Sequence, residues 1–222
     1  MKYDPTKHHR RSIRLKGYDY HKAGAYFVTI CTKNRECVLE DPTVTSIILD
    51  VWNALPQWFP AIELDEFVIM PNHVHFVVWI LPPGGIPPVG IPLAGIPQPD
   101  GGEPLPYRLP TPQKTNDRPS LGDIVGAFKS LVFTVYHDYI QSNNLSKRAK
   151  FWQTNYYEHI VRNDRALNAI RRYIIENPVN WKLDRDNAGN LRKLPAPSKI
   201  EEYLEDIESL LEVVEDKETT SS

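Results

Sequence analysis

The stretch that most constrains the fold is residues 67–80, FVIMPNHVHFVVWI, in which two apolar runs flank a short polar break. In a β-strand, successive side chains point to opposite faces of the sheet. The second run therefore predicts His73 and His75 on one face and Val74 on the other. Two imidazoles about 7 Å apart along one face can hold a cation. The other interpretation is that they are partly buried strand histidines with ordinary hydrogen bonds.

Length and composition limit the classes of protein that this chain can represent. Its 222 residues suit one domain with appendages, and 41% hydrophobic residues can form a core. Two cysteines, Cys31 and Cys37, are too few for a disulfide framework and match no zinc-binding spacing. The amino terminus lacks the apolar core of a signal peptide, and no run reaches the roughly 18 apolar residues of a membrane span. We therefore expect a cytoplasmic protein without a membrane partner.

The net charge of −2 hides an asymmetry along the chain. From Lys199 onward there are nine acidic and two basic residues, which leaves 24 basic and 19 acidic residues in the preceding part. A basic body favours a polyanionic partner, although charge alone fits a solvated arm equally well. The amino-terminal basic cluster consists of Lys7, Arg10, Arg11, Arg14 and Lys16.

Four segments have the composition of β-strands. Residues 26–32, 62–70 and 73–80 are rich in β-branched and aromatic residues, which favours strands. Residues 150–162 alternate aromatic and polar side chains, which predicts a fourth strand with a bend near Asn155. The second and third strands are separated by two residues only, so we expect them to form a hairpin.

Apolar residues at helical spacing predict three helices between and after these strands. The predicted helices cover residues 43–59, residues 121–140, and the residues from Asp164 to Asn177. Pro42 stands at the start of the first helix. Ser120 is a good N-cap for the second, with Asp123 completing a capping box. Asp164 is predicted to cap the third, which Pro178 ends.

The order of the first six elements, β-α-β-β-α-β, is that of the ferredoxin-like or RRM-like α+β fold. This fold has a four-stranded antiparallel sheet with two helices on one face. The additional C-terminal helix carries Tyr173 and Asn177, which are four residues apart and hence on the same side of the helix. We expect the two histidines on the second sheet face, which stays open to a large ligand unless the last helix covers it.

Three groups of residues carry a resemblance to a known family. They are Pro71-Asn72-His73-Val74-His75, Phe151-Trp152-Gln153 with Tyr156-Tyr157-Glu158-His159, and Tyr173-Ile174-Ile175-Glu176-Asn177-Pro178. With these residues the chain resembles the HUH single-tyrosine transposases of the IS200-like superfamily, and especially the REP-associated tyrosine transposases. The resemblance covers about residues 10–181, outside a proline-rich insertion.

The resemblance implies a metal site and a nucleophile. It makes His73 and His75 ligands of a divalent metal, with Asn177 completing the site where other members have glutamine. Mg²⁺ and Mn²⁺ are both suitable, since Mg²⁺ prefers oxygen ligands and Mn²⁺ tolerates imidazole better. It makes Tyr173 the nucleophile that forms a 5′-phosphotyrosine link and releases a 3′-hydroxyl.

Other tyrosines leave an alternative for the nucleophile. Tyr156 and Tyr157 could attack the phosphate or stack on bases. Tyr173 is preferred, because it alone is predicted to lie on a helix with an amide four residues further on.

The partner implied by the resemblance is single-stranded or hairpin DNA, cut and rejoined without ATP. Our candidates for contacts with its phosphates are Arg10, Arg11, Arg14, Lys16, Lys129, Arg171 and Arg172. A homodimer is a further expectation, since relatives occur as dimers and as monomers. Two other functions stay open: a non-catalytic hairpin-DNA-binding protein derived from such an enzyme, and a small-molecule enzyme on the same scaffold.

Composition also predicts how the chain divides into parts. Residues 1–24 are a basic arm, and the resemblance makes residues 25–182 the HUH transposase catalytic domain. Residues 82–119 are a Pro/Gly-rich insertion with three Gly-Ile-Pro units, which we expect to be disordered. Residues 183–222 are a linker and an acidic tail, with a helix predicted over 200–214.

Overall fold

The computed structural model describes Leu15 and residues 17–84, 107–111, 118–145, 151–182, 184, 186–187 and 189. The predicted basic arm up to Arg14, with Lys16, lies outside the described residues, as do most of the insertion and the helix predicted over 200–214. The described strands are β1 (Gly24–Cys31), β2 (Ile62–Met70), β3 (His73–Ile80) and β4 (Tyr157–Val161). The described helices are α1 (Pro42–Trp58), α2 (Leu121–Ser142) and α3 (Asp164–Glu176), with a short 3₁₀ turn at Lys33–Arg35.

The four strands form one antiparallel sheet in the order β2-β3-β1-β4. This is the strand order of the ferredoxin-like arrangement, so the predicted α+β fold is confirmed. β2 and β3 have the predicted bounds, and Met70 pairs with His73 across the tight connection between them. β1 lies in the middle of the sheet, where Cys31 pairs with His73 and Thr29 pairs with His75.

Each face of the sheet packs against helices. On one face, Val74, Phe76 and Val78 of β3 belong to a core shared with α1 and α2. On the other face, Val77 and Trp79 pack with residues of α3. The predicted alternation along β3 is therefore confirmed. The last helix does cover the second face: the amphipathic α3 packs on it and buries the histidines, so this face is not open to a large ligand.

Side-chain caps define where the helices begin. Asp41 caps α1 ahead of Pro42, and Ser120 and Asp123 form the predicted capping box at α2. The cap of α3 differs from the prediction. Asn163, and not Asp164, accepts the hydrogen bond from the Ala166 amide at 2.8 Å, and Asp164 is the first helical residue.

β4 is shorter than predicted, because its first residues leave the sheet. Thr32 and Trp152 form an isolated bridge, after which the chain bends away before β4 begins at Tyr157. The Lys129 ammonium on α2 binds the carbonyls of Gln153 and Thr154 in this bend, at 2.7 and 3.0 Å. Within the described part of the chain, no helix is both long and apolar enough to cross a membrane.

Candidate metal centre and tyrosine site

The two histidines of β3 converge on one point. The Nε2 atoms of His73 and His75 are 2.9 Å apart, and both side chains are fully buried. Since the residues alternate with Val74 on a strand, their rings project from the same face beneath α3. The His75 ring stacks on Phe27 of β1, with 5.4 Å between ring centroids, which fixes its plane.

Asn72 determines which nitrogen of His73 carries the proton. The Asn72 Nδ2 amide donates to the carbonyls of Arg35 and Asp186, at 3.3 and 3.0 Å. Its Oδ1 therefore faces the Nδ1 atom of His73, 2.8 Å away, and must accept a hydrogen bond from it. With the proton on Nδ1, His73 presents the lone pair of Nε2 to the site, which is the form that binds a metal.

His75 lies between two hydroxyl groups, one near each ring nitrogen. Its Nδ1 atom is 2.8 Å from Thr29 Oγ1, and its Nε2 atom is 3.2 Å from the hydroxyl of Tyr173. A threonine hydroxyl can donate or accept. Thr29 can therefore support His75 with Nε2 protonated, donating to His73, or with Nε2 free to bind a metal.

The last turn of α3 brings Tyr173 to the histidines of its own chain. Its ring lies 5.2 Å from the His75 ring and packs edge-on against Phe27. Asn177, one turn further on, is the C-cap of α3 and is 3% exposed. These four predicted residues, His73, His75, Tyr173 and Asn177, are thus brought to one buried region.

A carboxylate that the sequence reasoning missed also lies at this site. Asp184 Oδ2 is 3.6 Å from His73 Nε2, and ligand atoms of Asp184, His73 and His75 all lie within 4.8 Å of one another. The Asn177 side chain makes a hydrogen bond to Asp184. Asp184 lies beyond the end of α3 and belongs to no periodic pattern or motif, so the sequence gives no signal for it.

Burial sets the protonation state of these groups. Desolvation lowers the pKa of His73 to about 3, and the nearby Arg35 charge acts in the same direction. Desolvation also lowers the pKa of His75 well below its usual range. Both imidazoles are therefore neutral, as metal ligands must be. Burial, together with the Asp186 charge, raises the pKa of Asp184 to about 6, so its carboxylate is largely ionised near neutral pH.

The donor set fits a divalent metal ion. With metal–ligand distances of about 2.1 Å, donors at right angles lie about 3.0 Å apart and tetrahedral donors about 3.4 Å apart. The 2.9 Å between the Nε2 atoms fits an edge of an octahedron. Octahedral coordination by nitrogen and oxygen suits Mn²⁺, and also Mg²⁺ when water and phosphate oxygens complete the shell.

The residues predicted to contact DNA phosphates differ in what the structure shows of them. Arg10, Arg11, Arg14 and Lys16 lie outside the described residues. Arg171 donates twice to Asp65, at 2.8 and 2.5 Å, and Lys129 holds the bend before β4. Arg172 is exposed on α3, one residue from Tyr173. As contacts to DNA, all seven residues remain predictions.

The sequence is similar to that of a known bacterial protein. No family model matches the sequence. An uncharacterized protein of Haemophilus influenzae is 36% identical over 195 aligned positions, and the alignment covers 83% of this chain and 96% of that protein. The chain belongs to the same family as this Haemophilus influenzae protein.

A solved structure of a REP-associated tyrosine transposase bound to a REP hairpin is also similar. The likeness covers 78% of this chain and 76% of that one, with 17% sequence identity and a TM-score of 0.45. That protein is of the class that the sequence motifs resemble.

Proposed function

We propose that this chain is a transposase-type DNA endonuclease and strand transferase, which cuts and rejoins single-stranded or hairpin DNA through Tyr173. The observation that supports this most is the tyrosine hydroxyl lying 3.2 Å from His75 Nε2, beside a neutral histidine pair. Phosphoryl transfer needs a nucleophilic hydroxyl beside a well-oriented metal site. Here the hydroxyl, the candidate metal site and the groups that orient it, Asn72 and Thr29, lie in one buried region.

The histidine pair would hold the divalent ion, Mg²⁺ or Mn²⁺, with Asn177 as the further ligand implied by the resemblance. Bound there, the ion would polarise the scissile phosphate and offset charge that develops on its oxygens. Asn72 and Thr29 orient the two imidazoles through their Nδ1 atoms. Such partners of metal-bound histidines fix ring orientation and tautomer.

Tyr173 would attack the phosphorus atom in line with the 3′-oxygen. A bond forms between the tyrosine oxygen and phosphorus, and the bond from phosphorus to the 3′-oxygen breaks. The phenol releases its proton and the departing 3′-oxygen takes one up, so the step yields a 3′-hydroxyl with no net change in protons. Attack of the same or another 3′-hydroxyl on the phosphotyrosine reverses the step and rejoins DNA without an external energy source.

DNA can reach the tyrosine only if part of the described structure moves. His73 and His75 are fully buried, and Tyr173 is 8% exposed. The Trp181 ring lies 5.9 Å from the His73 ring, and Asp184 lies beside it. We infer that Trp181 shifts when a strand enters, since α3 is fixed to the sheet by its buried face and Asp184 stays beside His73.

Trapping the covalent intermediate tests this proposal directly. A labelled hairpin oligonucleotide is incubated with the protein and Mn²⁺ or Mg²⁺, and adducts are resolved on a denaturing gel. We expect an adduct with the wild type and with Tyr157→Phe, and none with Tyr173→Phe or with EDTA. An adduct that survives Tyr173→Phe would refute the assignment of the nucleophile.

Burial of the histidines supports a second candidate, a hairpin-DNA-binding protein without catalysis. Such a protein would bind the hairpin with the same affinity in EDTA and in Mn²⁺, and His73→Ala would leave binding unchanged. Hairpin binding measured by fluorescence anisotropy, in parallel with the gel, separates the two candidates. Size-exclusion chromatography with light scattering tests the homodimer, which the cis arrangement of Tyr173 and His75 does not require.

A further inference from the structure

We propose that Asp184 supplies the charged ligand of the metal centre, and that a latch of Arg35, Asp186 and Asn72 holds it there. This inference rests on the proposed function, because it concerns the same metal ion. It assigns part of the site to the chain beyond the tyrosine helix, outside the three sequence motifs.

Charge balance favours a carboxylate at this site. The two imidazoles are neutral, and the amide of Asn177 is neutral too, so these three groups leave both charges of a divalent ion uncompensated. A buried, uncompensated charge is strongly disfavoured in a protein interior. Asp184 is 5% exposed, and its carboxylate removes one of the two charges, while a bound DNA phosphate would remove the other. Oxygen is also the donor that Mg²⁺ prefers.

The contacts of Asn177 give it a positioning role toward Asp184. Its side chain makes a hydrogen bond to the carboxylate, in which the amide nitrogen must be the donor. The remaining oxygen, Oδ1, is buried and has no hydrogen-bond partner among the described residues. A buried acceptor in this state, on a side chain bonded to the carboxylate beside His73, indicates that the site is built for a cation.

The latch consists of contacts from Arg35 and Asn72 to Asp186, two residues after Asp184. The Arg35 guanidinium pairs with the Asp186 carboxylate and also donates to its carbonyl at 3.1 Å. Asn72 donates to the same carbonyl at 3.0 Å, while its oxygen orients His73. The Asp186 amide in turn donates to Asp184 Oδ1 at 2.5 Å. One asparagine therefore couples the orientation of a histidine ligand to the position of the carboxylate.

The backbone at the start of the latch is held in an unusual conformation. Asn34 and Arg35 have φ angles of 56° and 54°, in the left-handed region that non-glycine residues seldom adopt. Such strain persists only where surrounding contacts enforce it. Here it directs the Arg35 side chain toward Asp186, and the Arg35 carbonyl accepts from Asn72.

Binding of Mn²⁺ alone, measured by titration calorimetry and by the loss of the free-ion EPR signal, tests the assignment. We expect Asp186→Asn to lower Mn²⁺ affinity by about 10-fold, within the range for groups that orient metal ligands, and Asp184→Asn, which loses the charged ligand itself, by about 100-fold or more. Asp184→Glu keeps the charge and should regain part of the affinity. Asp138→Asn, on an exposed part of α2, is the matched control and should bind as the wild type does.

Thermal unfolding in EDTA shows that each variant is folded before metal is added. Asp184→Asn should be at least as stable as the wild type there, because it removes a buried charge. If the wild type binds Mn²⁺ and Asp184→Asn binds it within twofold, the assignment is overturned while the proposed function stands. If the wild type neither binds Mn²⁺ nor forms the tyrosine adduct, the proposed function fails and this assignment fails with it.

Discussion

The ion pair between Asp65 and Arg171 fastens the tyrosine helix to the sheet, and its removal should destabilise the protein strongly. Asp65 accepts two bonds from Arg171 and one from Trp79 Nε1 at 2.7 Å. The two side chains are 8% and 15% exposed. Losing one partner of a buried pair costs about 3–5 kcal/mol, and exposed pairs contribute below about 1 kcal/mol. We expect Arg171→Met to cost about 2–4 kcal/mol, given the slight exposure.

For a protein of this size, that loss lowers the melting temperature by about 4–16 °C. The assay is urea and thermal unfolding of the single and double variants. Adding Asp65→Asn to Arg171→Met should restore much of the stability, because the amide oxygen still accepts from Trp79 and no charge is left buried. A cost below about 1 kcal/mol for Arg171→Met, or additive losses in the double variant, would refute this account.

The ion pair between Asp65 and Arg171 also predicts how the free energy of unfolding changes with pH. Burial would raise the pKa of Asp65, but the hydrogen bonds from Arg171 and Trp79 outweigh it and place the pKa below 3.8. The folded state thus binds fewer protons than the unfolded state as the carboxylates titrate. The stabilisation by the ion pair is complete above pH 3.8 and is lost as the pH falls through the lowered pKa of Asp65. The advantage of the wild type over Asp65→Asn should therefore be constant from pH 7 to 5 and shrink only below 3.8.

Three further predictions concern other parts of the molecule. Thr29→Val removes the partner of His75 and should lower Mn²⁺ affinity about 10–100-fold in calorimetry; unchanged affinity would contradict its orienting role. Ser120→Ala removes the α2 cap and should cost about 1 kcal/mol in urea unfolding, whereas no loss would mean that the capping box contributes nothing. Arg172→Ala should weaken hairpin binding and reduce its salt slope by about 1; an unchanged slope would argue against a phosphate contact at Arg172.

The position of the two histidines in the sheet could be predicted from their spacing. β3 is apolar except for His73 and His75, and residues two apart on a strand lie on the same face. A slip of the strand by one residue would exchange its two faces. The same reasoning placed Tyr173 and Asn177 on one side of α3. Their meeting with the histidines in one chain depends on how α3 crosses the sheet, which no local pattern specifies.

The parts that sequence reasoning missed depend on irregular backbone. A β-bulge between Leu64 and Phe67 breaks the register of β2 beside Asp65. Bulges change the direction in which a side chain points, and here Asp65 reaches Arg171 on α3. Asp184 likewise reaches His73 through turns beyond α3, held by residues far away in the sequence. Hydrophobic periodicity and amino-acid composition carry no information about such contacts.

The complete burial of the histidines is compatible with a metal site because the metal-free site contains no charged imidazole. In that state His75 can donate its Nε2 proton to the lone pair of His73, and Thr29 donates to the other ring nitrogen. A metal ion bound between the rings would take the place of that proton, which would move to Nδ1 of His75, where Thr29 can accept the hydrogen bond, so both imidazoles stay neutral. With Asp184 beside the pair, the site then retains one net positive charge. A DNA phosphate is the group that would neutralise it, so the charges of the site favour entry of the metal and the phosphate together.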